Sequence, residues 1–231
     1  MTDGFDTRSA VTRSMLGWGV VAGPFYLTFG LILALTRDGF DLSRHALSLL
    51  TLGDQGWLQT LNFALTGIMV IVAGWGLLRA ITGRGRAAGA LVIVAGAAIA
   101  LAGVFRPDPV GGFPAGAEEG MSVSGMLHLA LGAVEFVAFA VAAILLARFF
   151  ASRAERGRAL WSRLAGVAIV VCFAAGAAFA TMPAGVALLW AAVVVGFAWL
   201  LTASLWVYRV VPHPDAAKNA SPVAGEAHRR S

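Results

Sequence analysis

Two histidines and two carboxylates have the side-chain types and the positions to take part in chemistry. His45 and His128 are the two histidines outside the C-terminal tail, Asp108 lies between two prolines, and Glu135 lies within a long apolar segment. Imidazole and carboxylate groups serve as acids, bases and ligands of divalent metals. We therefore begin by asking which elements of the fold could bring these four side chains together.

The composition indicates an integral membrane protein. The chain has 231 residues, of which 59% are hydrophobic and 13% are charged, and its mean hydropathy is +0.81. Apolar windows of about 20 residues are long enough to cross a bilayer as helices. Six such windows occur, near residues 15–36, 57–78, 87–105, 125–147, 160–181 and 184–210. The sequence thus predicts an all-α bundle of six transmembrane helices.

This bundle accounts for nearly the whole chain as one domain, residues 15–211. Residues 1–14 are predicted to form a cytoplasmic N-terminal segment. Residues 212–231 mix Pro, Ala and charges without apolar periodicity, which predicts a disordered cytoplasmic tail.

The positions of the basic residues predict the orientation. Most of the 17 Lys and Arg residues lie at the termini or in the second and fourth connections, whereas Arg37, Arg44 and Arg106 lie on the other side. By the positive-inside rule, both termini are cytoplasmic in the plasma (inner) membrane. This distribution favours anionic lipid headgroups as the partner of the basic residues and argues against a nucleic-acid role. Protein partners cannot be inferred from the sequence.

The first outer connection, residues 37–57, contains a helical pattern. Leu42, Ala46, Leu49 and Leu50 recur at helical spacing, which predicts a short amphipathic helix in the membrane interface. Asp54 is placed to cap the second transmembrane helix. His45 would lie on the interfacial helix.

All four candidate side chains have simple structural roles as alternatives. Asp108 could form an ion pair with Arg106 beside a proline helix stop, and either histidine could hydrogen bond to a facing helix or a lipid headgroup. His128, near a helix N-terminus, should tend to be neutral because the helix dipole disfavours imidazolium. Glu135 lies about 10 Å deeper on the same helix face, with Gly132 between them.

An ionisable group at this depth is a candidate functional group. For Glu135 the structural alternative is a hydrogen bond across the bundle to Asn62 or Thr66 of the second helix.

Together these residues predict a polar cavity open to the outer leaflet. His45, Asp108 and His128 are its candidate catalytic residues. The candidate substrate-binding residues are Ser48, Asn62, Arg106 and Glu135. Two imidazoles and a carboxylate could also hold a divalent metal, whereas haem is a minor option because no two histidines lie at matching depths on facing helices.

Three stretches resemble a bacterial membrane family catalogued as domain of unknown function 998. They are HALSLLTLGDQGWLQTLNFALTG (45–67), AGVFRPDPVGGFP (102–114) and LHLA (127–130). The likeness covers roughly residues 15–210 and implies six helices, in agreement with the hydropathy. In the family a proline commonly follows the phenylalanine of the second stretch, where this chain has Arg106. The resemblance implies no particular activity.

Three functions fit the sequence. The leading hypothesis is a small membrane-embedded enzyme acting on a lipid or isoprenoid-like substrate, in which a hydrophobic small molecule binds the outer cavity. The second is a noncatalytic accessory or lipid-binding scaffold whose polar groups join the outer loops to helix ends. The third is a small-solute transporter, suggested by Glu135 and by Pro24 in the first helix.

Overall fold

Six long helices account for most of the chain in a computed structural model that describes residues 5–215. All six are long and apolar enough to cross a membrane. In chain order they are α1 (Thr7–Thr36), α2 (Gly56–Ala80), α3 (Arg86–Val104), α4 (Val123–Ser152), α5 (Arg156–Ala178) and α6 (Pro183–Val210). The prediction of an all-α, six-helix membrane protein is confirmed. The predicted tail, residues 212–231, lies outside the described residues apart from 212–215.

The largest deviation from the predicted spans is at the start of α1, which begins eight residues before the predicted span. Its cap explains this difference, because the Asp6 carboxylate accepts hydrogen bonds from the backbone N–H groups of Arg8 and Ser9 at 2.9 and 3.2 Å. A capped polar first turn extends the helix beyond its apolar part. At the other end of the chain, Pro183 occupies the first turn of α6, where a missing N–H costs no helical hydrogen bond.

The helices form a ring. Each one packs against its neighbours in sequence, and α1 also packs against α6, so the first and last helices close the bundle. The end of the bundle that holds the α1–α2, α3–α4 and α5–α6 connections is called the distal end below, and the opposite one the terminal end. At the terminal end the Asp6 N–H donates to the Pro214 carbonyl at 2.9 Å, which joins the two ends of the described chain.

Glycines allow α2 and α3 to pack very closely. A Cβ atom on Gly67 would lie 2.6 Å from the Gly96 carbonyl oxygen, and one on Gly74 would lie 2.8 Å from that of Gly89. These distances are too short for a side chain, so the backbones of the two helices are nearly in contact. This agrees with the glycines at intervals of seven residues on both helices, a pattern typical of helix packing in lipid.

The α1–α2 connection folds back against the bundle. A short helix is present, but it is a 3₁₀ helix, Leu47–Thr51, whose Leu47, Leu49 and Leu50 are buried. His45, which was predicted to lie on the helix, precedes it, as do the predicted apolar positions Leu42 and Ala46. The buried leucines pack on protein rather than on lipid. The cap assigned to Asp54 is also wrong, because Gln55 precedes α2 and no side chain caps it.

Candidate functional site

His45 is a buried side chain that joins two distal connections. It is 3% exposed, and its Nδ1 accepts a hydrogen bond from the Asp41 backbone N–H at 2.9 Å. This leaves the proton on Nε2, which donates to the Gly111 carbonyl at 3.1 Å. Both ring nitrogens are therefore used in holding the α1–α2 connection to the α3–α4 connection.

Aromatic rings surround the His45 imidazole and close this junction. The ring centroid of His45 lies 5.2 Å from that of Phe40 and 5.3 Å from that of Phe113. The Phe40 and Phe113 rings also contact each other, with centroids 5.2 Å apart and ring planes nearly at a right angle. Edge-to-face contacts of this kind stabilise by about 1 kcal/mol beyond area burial. We call the junction formed by Phe40, His45, Gly111 and Phe113 the distal clasp.

Asp108 anchors the other end of the α3–α4 connection. Its carboxylate accepts from the Ser122 backbone N–H at 3.0 Å, immediately before α4. Hydrogen bonds from the hydroxyl and backbone of Ser122 hold the pKa of Asp108 below its ordinary value. The exposed Arg106 contributes its carbonyl to the Ser124 hydroxyl at 2.9 Å, and within residues 5–215 Arg106 and Asp108 form no ion pair.

His128 joins α4 to the end of α3. Its Nδ1 lies 2.9 Å from both the Ala102 and the Phe105 carbonyl oxygens, so it carries the proton and donates to them. These carbonyls belong to the last turn of α3, where helical partners run out. The Nε2 atom consequently remains an acceptor, and His128 lines a cavity.

The three candidate catalytic side chains therefore do not form one cluster. His45, Asp108 and His128 each bond a different stretch of backbone, at Asp41 and Gly111, at Ser122, and at the end of α3. In the described part of the chain, no three His, Cys, Asp or Glu side chains lie close enough together to hold a metal ion. Among the described residues, His45, Asp108 and His128 thus do not form the three-ligand metal site that the sequence left open.

A cavity of about 140 Å³ lies inside the ring, in its distal half. Its walls come from all six helices and from the 3₁₀ segment, and most of the lining is apolar. The polar or partly polar lining residues are Tyr26, Ser48, His128, Glu135 and Trp190. Ser48, His128 and Glu135 thus lie around one cavity, whereas His45 and Asp108, which the sequence placed in the same cavity, do not line it.

Glu135 is the deepest of the predicted site residues on α4. It is 9% exposed and lines the cavity seven residues, or about 10 Å, below His128. Among residues 5–215 the Glu135 carboxyl has neither an ion-pair nor a hydrogen-bond partner. A buried carboxyl without a partner in the protein is costly, so its surroundings point to a ligand or water as the partner.

Asn62, predicted to bind substrate, lies elsewhere. It is fully buried and donates to the Tyr26 carbonyl at 3.1 Å and to the Gln59 side-chain oxygen at 3.2 Å, while Thr66 donates to it at 3.4 Å. This polar group holds α2 to α1. The alternative in which Asn62 or Thr66 bonds Glu135 is therefore not observed.

Sequence reasoning missed Tyr26 and Trp190 as cavity residues. Trp190 has the position of an interfacial anchor, yet its ring packs against the core and its Nε1 is buried without a hydrogen-bond partner among the described residues. Its distance from the helix end, seven residues into α6, was the available signal. Interfacial tryptophans usually lie nearer to the ends of their helices.

Aromatic side chains fill the ring below the cavity. Phe197 lines the cavity, and its ring centroid lies 5.3 Å from that of Tyr26 and 6.3 Å from that of Phe139. The Phe139 ring in turn packs on Trp199, with centroids 6.1 Å apart. Phe139 and Trp199 are almost completely buried. These rings separate Glu135 from the terminal end of the bundle.

The fold and the site define an integral membrane protein of the all-helical class, with a small, largely apolar internal cavity. Residues 20–206 match the family described as Protein of unknown function (DUF998), so the chain belongs to this family. No curated protein and no solved structure matches the chain.

Proposed function

We propose that the protein binds a lipid or isoprenoid-like molecule in the distal cavity and that this binding, without catalysis, is its activity. The observation that carries the proposal is the buried Glu135 carboxyl, which has no partner among the described residues and lines a largely apolar cavity. Apolar walls with a few convergent polar groups are the usual form of a small-molecule site.

The roles of His45 and Asp108 favour binding over catalysis. Both ring nitrogens of His45 bond to backbone groups, and Asp108 bonds to the backbone before α4. Groups engaged in this way hold the distal connections in place, and neither side chain lines the cavity. This supports the role of a lipid-binding or accessory protein in the leaflet at the distal end, which the charge distribution predicts to be the outer leaflet.

A photoreactive fatty alcohol tests the proposal. Val193 lines the cavity, whereas its neighbour Val194 is 45% exposed on the outer surface of α6. We expect Val193→Phe to fill the cavity and lower labelling by a diazirine-bearing hexadecanol at least fivefold. Val194→Phe, the matched control, should label within twofold of wild type. Equal labelling of Val193→Phe and wild type would reject the cavity as the binding site.

An enzyme acting on the bound lipid is the second candidate, and His128 favours it. Because Nδ1 donates to the end of α3, the unprotonated Nε2 is available as a general base in a cavity residue. His128→Asn keeps a donor near the position of Nδ1 and removes Nε2. If the protein is an enzyme, lipid turnover by purified protein in vesicles of total membrane lipid should disappear in this variant while lipid binding persists. Absence of any wild-type product would leave binding as the activity.

A further inference from the structure

The backbones of helices α4 and α5 nearly touch close to the middle of the two helices, but they do not do so at Gly132, nearer to the distal end. A Cβ atom on Gly166 of α5 would lie 2.8 Å from the Ala140 carbonyl of α4, so the two backbones nearly touch there. Near the cavity, a Cβ on Gly132 of α4 would meet only ring atoms of Phe173, at 3.8 and 4.0 Å. The two helices are thus joined at this level by a side chain rather than by backbone contact.

The neighbouring helix pair does not open in this way. A Cβ on Gly176 of α5 would lie 2.8 Å from the Leu189 backbone nitrogen of α6, which shows close packing at the distal level. At Gly132 and Phe173 the wall between α4 and α5 is closed by side chains, with Phe173 stacked on Phe136 of α4 at 4.6 Å between ring centroids, and we call this place the α4–α5 seam.

The exposure of the lining residues points to the same side. Leu129, one turn before Gly132 on α4, lines the cavity and is 57% exposed. The residues that line the opposite wall, Phe63, Ile99 and Ala102, are buried. The cavity is thus separated from the surrounding lipid by little protein at the α4–α5 seam.

The size of the cavity limits how much of a lipid it can enclose. A cavity of about 150 Å³ holds a molecule of benzene size, and this one measures about 140 Å³. A long-chain lipid would therefore place only one end inside and leave the rest of its chain in the bilayer. A side opening is required for such a bound state.

The charges of the lining limit the chemistry of the inserted end. Of the described residues that line the cavity, none is Lys or Arg. A phosphate or carboxylate would be buried there beside Glu135 without a cationic partner, which is strongly unfavourable. A hydroxyl group can exchange hydrogen bonds with the Glu135 carboxyl in either protonation state.

We propose that the bound lipid inserts an uncharged, hydroxyl-bearing end that hydrogen bonds to Glu135, and that its hydrocarbon chain leaves the cavity sideways through the α4–α5 seam. This inference rests on the proposed lipid binding and adds to it the class of ligand and the route of access.

Competition against the photoreactive hexadecanol tests the ligand class, with the full-length protein in phosphatidylcholine nanodiscs. In wild type, hexadecanol should compete at least tenfold better than hexadecyl phosphate and about fivefold better than hexadecane. Glu135→Leu should abolish the advantage over hexadecane, because one net hydrogen bond corresponds to a factor of about five. Glu135→Gln, whose side chain has both a donor and an acceptor, should keep the advantage of hexadecanol over hexadecane. Equal competition by hexadecyl phosphate would overturn the assignment of an uncharged end.

Substitutions at the seam test the route. Gly132→Phe should lower labelling at least fivefold, because its ring would fill the space beside Phe173. Phe173→Ala should increase the labelling rate, a gain that misfolding would not produce. Gly17→Phe, at a helical glycine with no atom within 4 Å of its Cβ, is the control.

The outcomes separate the two proposals. Normal labelling of Gly132→Phe together with loss in Val193→Phe would reject the seam and keep lipid binding. Equal labelling of wild type and Val193→Phe would reject lipid binding itself.

Discussion

His45 illustrates how a side chain suited to catalysis can instead hold the fold together. Its two nitrogens satisfy one backbone donor and one backbone acceptor from different connections, and its ring is buried between Phe40 and Phe113. Removing the ring leaves two part-buried backbone groups without their partner, which is costlier than the loss of a fully exposed hydrogen bond.

We expect His45→Ala to lower the free energy of unfolding by about 2 kcal/mol, since two part-buried backbone groups lose their partner and the buried ring leaves a cavity. His45→Asn can still accept from Asp41, and His45→Gln can still donate to Gly111, so each of these variants should be destabilised less than His45→Ala. Denaturant unfolding in detergent measures the order of stability of the three variants. An alanine variant as stable as wild type would contradict the role of the distal clasp.

At the scale of helices, close backbone approach between α2 and α3 determines which substitutions the bundle tolerates. A Cβ on Gly96 would lie 2.7 Å from the Gly67 carbonyl oxygen, so any side chain there must push the helices apart. The Gly17 position, by contrast, has open space.

Gly96→Leu should therefore destabilise the protein by about 2 kcal/mol or more through overpacking, while Gly17→Leu should be nearly neutral. Thermal unfolding in the same detergent, followed by circular dichroism, compares the two. If both variants melt at the wild-type temperature, the α2–α3 packing described above is incorrect.

The helices could be predicted from the sequence because each depends on a long local run of apolar residues. The roles of the distal residues could not, because they depend on partners far along the chain. His45 bonds to Gly111, and His128 bonds to carbonyl groups at the end of α3. Sequence gives the type of such a side chain and its approximate depth, but not whether its polar atoms meet backbone, ligand or each other. Glu135 was the exception, since its position seven residues after His128 already placed both on one helix face.

At the scale of the whole molecule, the ring of helices encloses a cavity in its distal half and an aromatic core below it. Rings of Phe139, Phe197 and Trp199 fill the space beneath Glu135, which does not favour a small-solute path through the bundle. The connections joined by the distal clasp cover the cavity from the distal end through Ala46, Leu47 and Ser48. The α4–α5 seam then becomes the access route from the lipid phase.

The most direct measurement is the position of the covalent adduct after photolabelling with a hexadecanol whose diazirine lies near its hydroxyl. Mass spectrometry of peptides should place the adduct on cavity residues of α4 and α6, such as Gly132, Glu135 or Val193. Adducts confined to lipid-facing residues of the same helices, such as Val134, Val137 and Val194, would contradict the account.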